Sequence, residues 1–188
     1  QAVVVLYRRE FYLVAGIGWR YAVSASRRRN WPLSGRTTNM SKDIALLSAT
    51  DLLQAYRRKQ LSPVEATRAA LARIDRYNAA LNAYCFVDGE NAMAAARAAE
   101  HRWHKGEPQG LLDGVPISIK DVVLTKGWPT LRGSRTVTRD QSWDEDAPCT
   151  ARLRAHGAVL LGKTTTPEFG WKGITDSPLT GEIGRAHV

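Results

Sequence analysis

Cysteine is scarce in this chain: Cys85 and Cys149 are the only two among 188 residues. They make no C-x-x-C pair, which argues against a thiolate zinc site and a disulfide framework. Two reduced, partly buried thiols in a cytoplasmic protein are expected. His101, His104, His156 and His187 are equally sparse and make no H-x-x-x-H spacing, so no metal site is indicated. Long apolar runs are missing too. None approaches the roughly 20 residues of a membrane span, so no membrane partner is expected. Acidic residues are nearly absent from residues 1–39, which hold seven arginines, no lysine and only Glu10. That segment carries six of the nine net positive charges. The other 149 residues, with 20 basic and 17 acidic side chains, carry three. A body so nearly balanced gives little support to a nucleic-acid partner.

What is present is a foldable middle. Apolar residues make up 44% of the chain, enough for one domain with a sizeable core. Residues 1–39 read differently from the rest. Gln1 is not a start residue, and an apolar patch from Phe11 to Trp19 sits between arginines. A signal peptide and an organelle transit peptide compete with a third reading, upstream sequence translated in frame before Met40. The third is favoured, so 1–39 is expected to be a non-native or upstream leader. Residues 40–181 form the domain, and 182–188 (E-I-G-R-A-H-V) read as a sequencing artefact.

Within the domain, helix and strand signals alternate. A first helix is predicted after Ser48 or Thr50, through Leu52, Leu53 and Tyr56. Ser62-Pro63-Val64-Glu65 joins a capping box to a proline at the first helical position. Val64, Leu71 and Ile74 mark one face of the helix that follows. Leu81–Val87 reads as a short strand, and Asn91–Lys105 as an Ala-rich helix stopped by Gly106. Asp146 and Pro148 open a helix ending at Gly157, and Ala158–Leu161 reads as an apolar strand. The alternation predicts an α/β fold with helices packed on a sheet.

The stretch Gly114–Asp121, G-V-P-I-S-I-K-D, carries the candidate chemistry. Val115, Ile117 and Ile119 alternate with Pro116, Ser118 and Lys120, so Ser118 and Lys120 share one face of a predicted strand. A lysine at the end of an apolar strand is costly to desolvate and tends toward a neutral amine that can act as a base. Such an amine can serve a serine nucleophile. The alternative is a lysine that snorkels to water and pairs with Asp121.

Leu111–Asp121 as a whole resembles the segment that carries the catalytic lysine of the amidase signature family of serine hydrolases. Gly127–Thr130 and Arg132–Ser134 resemble the loop after it. Asp144–Thr150 with Arg152-Leu153, Gly157–Thr164, and Pro167–Gly170 resemble the family's next helix, strand and turn, and Ser62–Glu65 its opening region. The resemblance covers about Met40 to Gly181. It implies a partial amidase-signature fold with helices on a mixed sheet, and Lys120 as a catalytic residue. The implied activity is hydrolysis of carboxamide C–N bonds in a small-molecule amide, without metal or organic cofactor. A homodimer of the full-length protein is left open. Thr165 departs from the asparagine the family often has after G-K-T. The stretch Gly170–Ser177 looks more like general amidases than like the A subunit of a tRNA-dependent amidotransferase, which stays as an alternative.

The family also implies a nucleophilic serine and a second serine with a cis peptide bond, both in a Gly/Ser-rich region. No G-S-S-G occurs here, and both serines are expected beyond Gly181. The 188-residue chain alone is therefore expected to be inactive, and it is expected to be poorly soluble because a sheet cut short leaves strand edges and apolar faces unpaired. Ser177, in a turn-like D-S-P, is read as a turn residue. Gly157–Thr164 also satisfies the P-loop pattern G-x-x-x-x-G-K-[ST] of a nucleotide-binding protein. Its context opposes that reading, because a helix precedes Gly157 and Pro167 disfavours a helix at Thr166.

Overall fold

A computed structural model describes residues 43–184. Residues 1–39, assigned above to a leader, and the last four residues of the chain lie outside the described residues.

The helix starts follow the capping logic. Ser48 Oγ accepts from the Asp51 N–H at 2.8 Å and the Asp51 carboxylate accepts from the Ser48 N–H, opening α1 (Ala49–Arg57). Ser62 and Glu65 repeat the device at α2 (Pro63–Leu81), with Pro63 in the first turn. Each box satisfies N–H groups that have no partner within the helix. Helix α2 runs through Leu81 and stops at Asn82, which adopts a left-handed conformation. Strand β1 therefore begins later than the apolar run, at Tyr84–Val87. Helix α3 (Gly89–Lys105) ends at Gly106. Strand β2 (Pro116–Lys120), helix α4 (Pro148–Ala155) and strand β3 (Val159–Thr164) follow. A short hairpin, β4 (Asp176–Ser177) and β5 (Gly181–Glu182), was not expected from sequence. The boundary drawn at residue 181 falls inside this hairpin. Glu182 pairs with Asp176, and the Gly184 N–H donates to the Leu81 carbonyl at 2.7 Å.

The main sheet is mixed, in the order β1-β3-β2, with β3 antiparallel to β1 and parallel to β2. Helix α4 lies in the connection between the parallel strands, as such a connection requires. Helices α2 and α3 cover one face. Ala92 and Ala96 pack there against Val159 and Leu161, with Val64, Leu71 and Ile74 around them. Ile117, Ile119 and Leu160 face the other side, against Leu153 of α4 and Val123 and Trp128 of the long loop. Burying each isoleucine contributes roughly 1.5–3 kcal/mol. That preference holds the alternate residues Ser118 and Lys120 on the helix-covered face.

The register slips by one residue inside β3: Ile117 pairs with Leu160, but Ser118 pairs with Gly162. Leu161 is the extra residue of a β-bulge. After it, Lys163 pairs with Ile119 and shares the loop-covered face, while Thr164 pairs with Lys120. Gly162 permits the close approach of β1, since a Cβ there would run into the Phe86 carbonyl. Among the described residues no helix is long and apolar enough to cross a membrane.

Candidate active site

Strand β2 is held at its start by three side chains. Tyr56 Oη donates to the Gly114 carbonyl at 3.1 Å, and Trp103 Nε1 to the Asp113 carbonyl at 3.0 Å. The Asp113 carboxylate, fully buried, pairs with the Arg102 guanidinium and accepts from the Gln109 N–H. The Asp113 hydrogen bonds raise the Arg102 pKa further.

Lys120 stands at the opposite end. Pairing through Thr164 sets Lys120, Thr164 and Tyr84 in one row across the three strands. Tyr84 Oη shares a hydrogen bond with Ser118 Oγ, and burial pushes the Tyr84 phenol up. Lys120 is half-buried and makes no side-chain hydrogen bond or ion pair among the described residues. The alternative pairing with Asp121 is not what the structure has. The Asp121 carboxylate accepts instead from the N–H groups of Leu131 and Gly133, at 3.2 and 3.3 Å. Burial raises the Asp121 pKa, and the nearby Lys163 works against that rise.

Lys163 went unread as part of this site. It is completely buried, and its Nζ donates to the Val123 carbonyl at 2.5 Å and to Thr130 Oγ1 at 2.7 Å. Burial lowers its pKa from 10.5 to about 8, with Asp121 opposing the change. This placement also corrects the nucleotide-binding reading of Gly157–Thr164. A P-loop lysine must reach phosphates from a loop that opens a helix. Here Val159–Thr164 is a buried strand, Lys163 points into the protein, and the next element is only the single 3₁₀ turn Glu168–Gly170. The signal that could have found Lys163 is the one used for Lys120, a lysine in an apolar strand.

Two loops leave the C-terminal ends of the parallel strands, the place where open α/β sheets carry their sites. One follows β2 and the other follows β3, and they clasp each other. The Phe169 N–H donates to the Arg132 carbonyl at 2.7 Å, and Ser134 Oγ to Glu168 Oε1 at 2.6 Å. Arg132 and Phe169 both hold positive φ, 57° and 50°, a conformation that costs energy and clusters at functional sites. Gly133 follows Arg132 with φ 65°, and a Cβ on it would lie 2.6 Å from the Thr166 carbonyl. Thr165 ties the second loop to the turn before β1 through Asn82, accepted at its carbonyl. A cleft of about 320 Å³ borders this end, lined by Tyr84, Phe86, Asp121, Leu131 and Arg139 among others.

Among the described residues, Ser118, Ser134 and Ser177 are each engaged in a side-chain hydrogen bond. Ser177 Oγ bonds Thr180 within the hairpin, as its turn setting suggested. Cys149 is half-buried, whereas Cys85 is exposed on the edge strand, and both are free.

A family model described as Amidase matches residues 65–184. The chain belongs to the amidase signature family. The A subunit of glutamyl-tRNA(Gln) amidotransferase from Salinispora arenicola (strain CNS-205) is 42% identical over 136 residues, 71% of this chain and 27% of that protein. The putative amidase AmiD of Mycobacterium bovis is also 42% identical, over 134 residues, 71% of this chain and 28% of that protein. The two kinds of relative thus match equally. Among solved structures, a bacterial aryl acylamidase of the amidase signature family superposes with a TM-score of 0.68 at 29% identity, over 73% of this chain and 29% of that one. This chain spans between a quarter and a third of the length of such relatives, and family members act on amides.

Proposed function

We propose that this amidase-family region supplies Lys120 as the base of a carboxamide hydrolase. The observation that carries the reading is the Lys120 amine itself. It is half-buried at the C-terminal end of a parallel strand, with no carboxylate or other hydrogen-bond partner among the described residues. With no partner of its own the amine is open to a hydroxyl group, and its neutral form is the one that accepts a proton. Neutral Lys120 takes a proton from a serine whose own oxygen takes one from the nucleophilic serine. The nucleophile attacks the amide carbon, backbone N–H groups stabilise the oxyanion, and the amine leaves with a proton. Water then hydrolyses the acyl-enzyme. Both serines come from sequence beyond residue 181. The substrate is a small-molecule amide, the setting cytoplasmic, and no cofactor takes part.

The amidotransferase-subunit reading uses the same bond cleavage and differs in its partners. The Gly170–Ser177 stretch, similar to general amidases, favours the free-standing hydrolase.

The test is Lys120→Ala in the full gene product. Release of ammonia from a panel of simple carboxamides should fall about 10³-fold, with the circular dichroism spectrum unchanged. Turnover within a few-fold of the parent would mean that another group is the base.

A further inference from the structure

We propose that Asp121 and Lys163 are a buried pair of positioning residues for the amidase reaction, holding the 121–134 loop and thereby fixing Lys120 from the opposite face of the sheet. The inference rests on the reading of Lys120 as base.

Hydrogen bonds hold the chain at several points after Lys120. The Val123 N–H donates to the Lys120 carbonyl at 2.9 Å, and the Val123 carbonyl accepts from Lys163 Nζ. The Asp121 N–H donates to the Thr164 carbonyl at 3.0 Å, while its carboxylate accepts from Leu131 and Gly133. Lys163 also reaches Thr130, so its one amine joins the two ends of the 123–130 segment. Asp121 then holds the next turn, in which Arg132 keeps a left-handed backbone. Lys163 is 0% and Asp121 3% exposed, yet no direct ion pair joins them. An apolar side chain of the same volume would stabilise such a position more cheaply than a buried charge. What two buried charges add is direction: four polar atoms of one loop, on Val123, Thr130, Leu131 and Gly133, are each met by one of them. A base displaced by about 1 Å costs on the order of 10²-fold in rate, so a loop held in this way bears on turnover and not only on folding.

The experiment compares Asp121→Asn and Lys163→Met in the full gene product by two readouts. In amide hydrogen exchange, peptides spanning 122–134 should exchange at least about tenfold faster, and peptides spanning 115–120 and 158–161 should not change. In steady-state hydrolysis of a simple carboxamide, kcat should fall about 10²-fold with KM within about threefold. If those variants fold poorly, Thr130→Val removes one acceptor and keeps the volume; it should lower kcat about tenfold, the value of one hydrogen bond. Parental kcat in any folded variant, or faster exchange spread evenly over β2 and β3, overturns the proposal. Should Lys120→Ala keep its turnover, the base assignment fails, and the exchange measurement still decides whether the pair holds the loop.

Discussion

The two ends of β2 are built from the same residue types to opposite purposes. At its start, Asp113 is buried but meets the Arg102 guanidinium directly, and the neighbouring carbonyls take donors from Trp103 and Tyr56. Arg102 keeps 29% of its side chain exposed, so the pair is neutralised and partly hydrated. At its finish, Asp121 and Lys163 are buried without touching, and Lys120 has no counter-ion among the described residues. The first arrangement secures the strand. The second leaves Asp121 and Lys163 in an environment that shifts their proton affinity, as sites of acid–base chemistry do.

That contrast can be broken most sharply by exchanging the readouts. Lys120→Ala should leave the unfolding free energy within about 0.5 kcal/mol while removing turnover; a large loss of stability would make Lys120 a structural residue like Asp113. Asp113→Ala should do the reverse. It strands the Arg102 guanidinium and the Gln109 N–H, and urea unfolding should show a loss of about 3–5 kcal/mol. Residual turnover per folded molecule should stay near the parent value.

A smaller effect separates the ends by pH. The folded-state pKa of Lys163 lies below its ordinary value, at about 8. The unfolded chain therefore binds the extra proton between about pH 8 and the ordinary lysine value of 10.5. Stability should rise with pH across that window, while below it the cost of charging the buried amine is fully present. Lys163→Met should flatten this part of the urea-midpoint profile, and Asp113→Ala should leave its slope alone. The mildest change is Tyr56→Phe, which deletes one buried hydrogen bond to Gly114. About 1 kcal/mol should be lost, with kcat unaffected; a loss of kcat would extend the catalytic end of the strand to its beginning.

Much of the scaffold was legible because it follows local rules. The capping boxes at Ser48 and Ser62, the glycine stop after α3 and the alternation in β2 each need only a few neighbouring residues. The same alternation, together with the family resemblance, singled out Lys120 as the proposed base. Thr130 was not assigned to the site, because what ties it in is an amine from β3, 33 residues away in sequence; Asp121 was read only as a partner for Lys120, because the N–H groups it holds lie 10 and 12 residues further on. Strand β3 was expected to end at Leu161, where the apolar run stops. The chain continues as a strand because Phe86 of β1 needs the space a side chain at 162 would fill. The β4–β5 hairpin escaped notice since two-residue strands carry no periodicity.

The supernumerary Leu161 has a further effect. Strict alternation from Val159 would pair Lys163 directly with Lys120, on adjacent strands about 4.8 Å apart. Two ammonium groups so close would repel, and each would release its proton more readily for that reason alone. One inserted leucine sends them to opposite sides of the β layer instead. Each cation can then answer to its own surroundings: Lys163 meets Val123 and Thr130 on one side of the layer, and Lys120 stays clear of that cluster on the other.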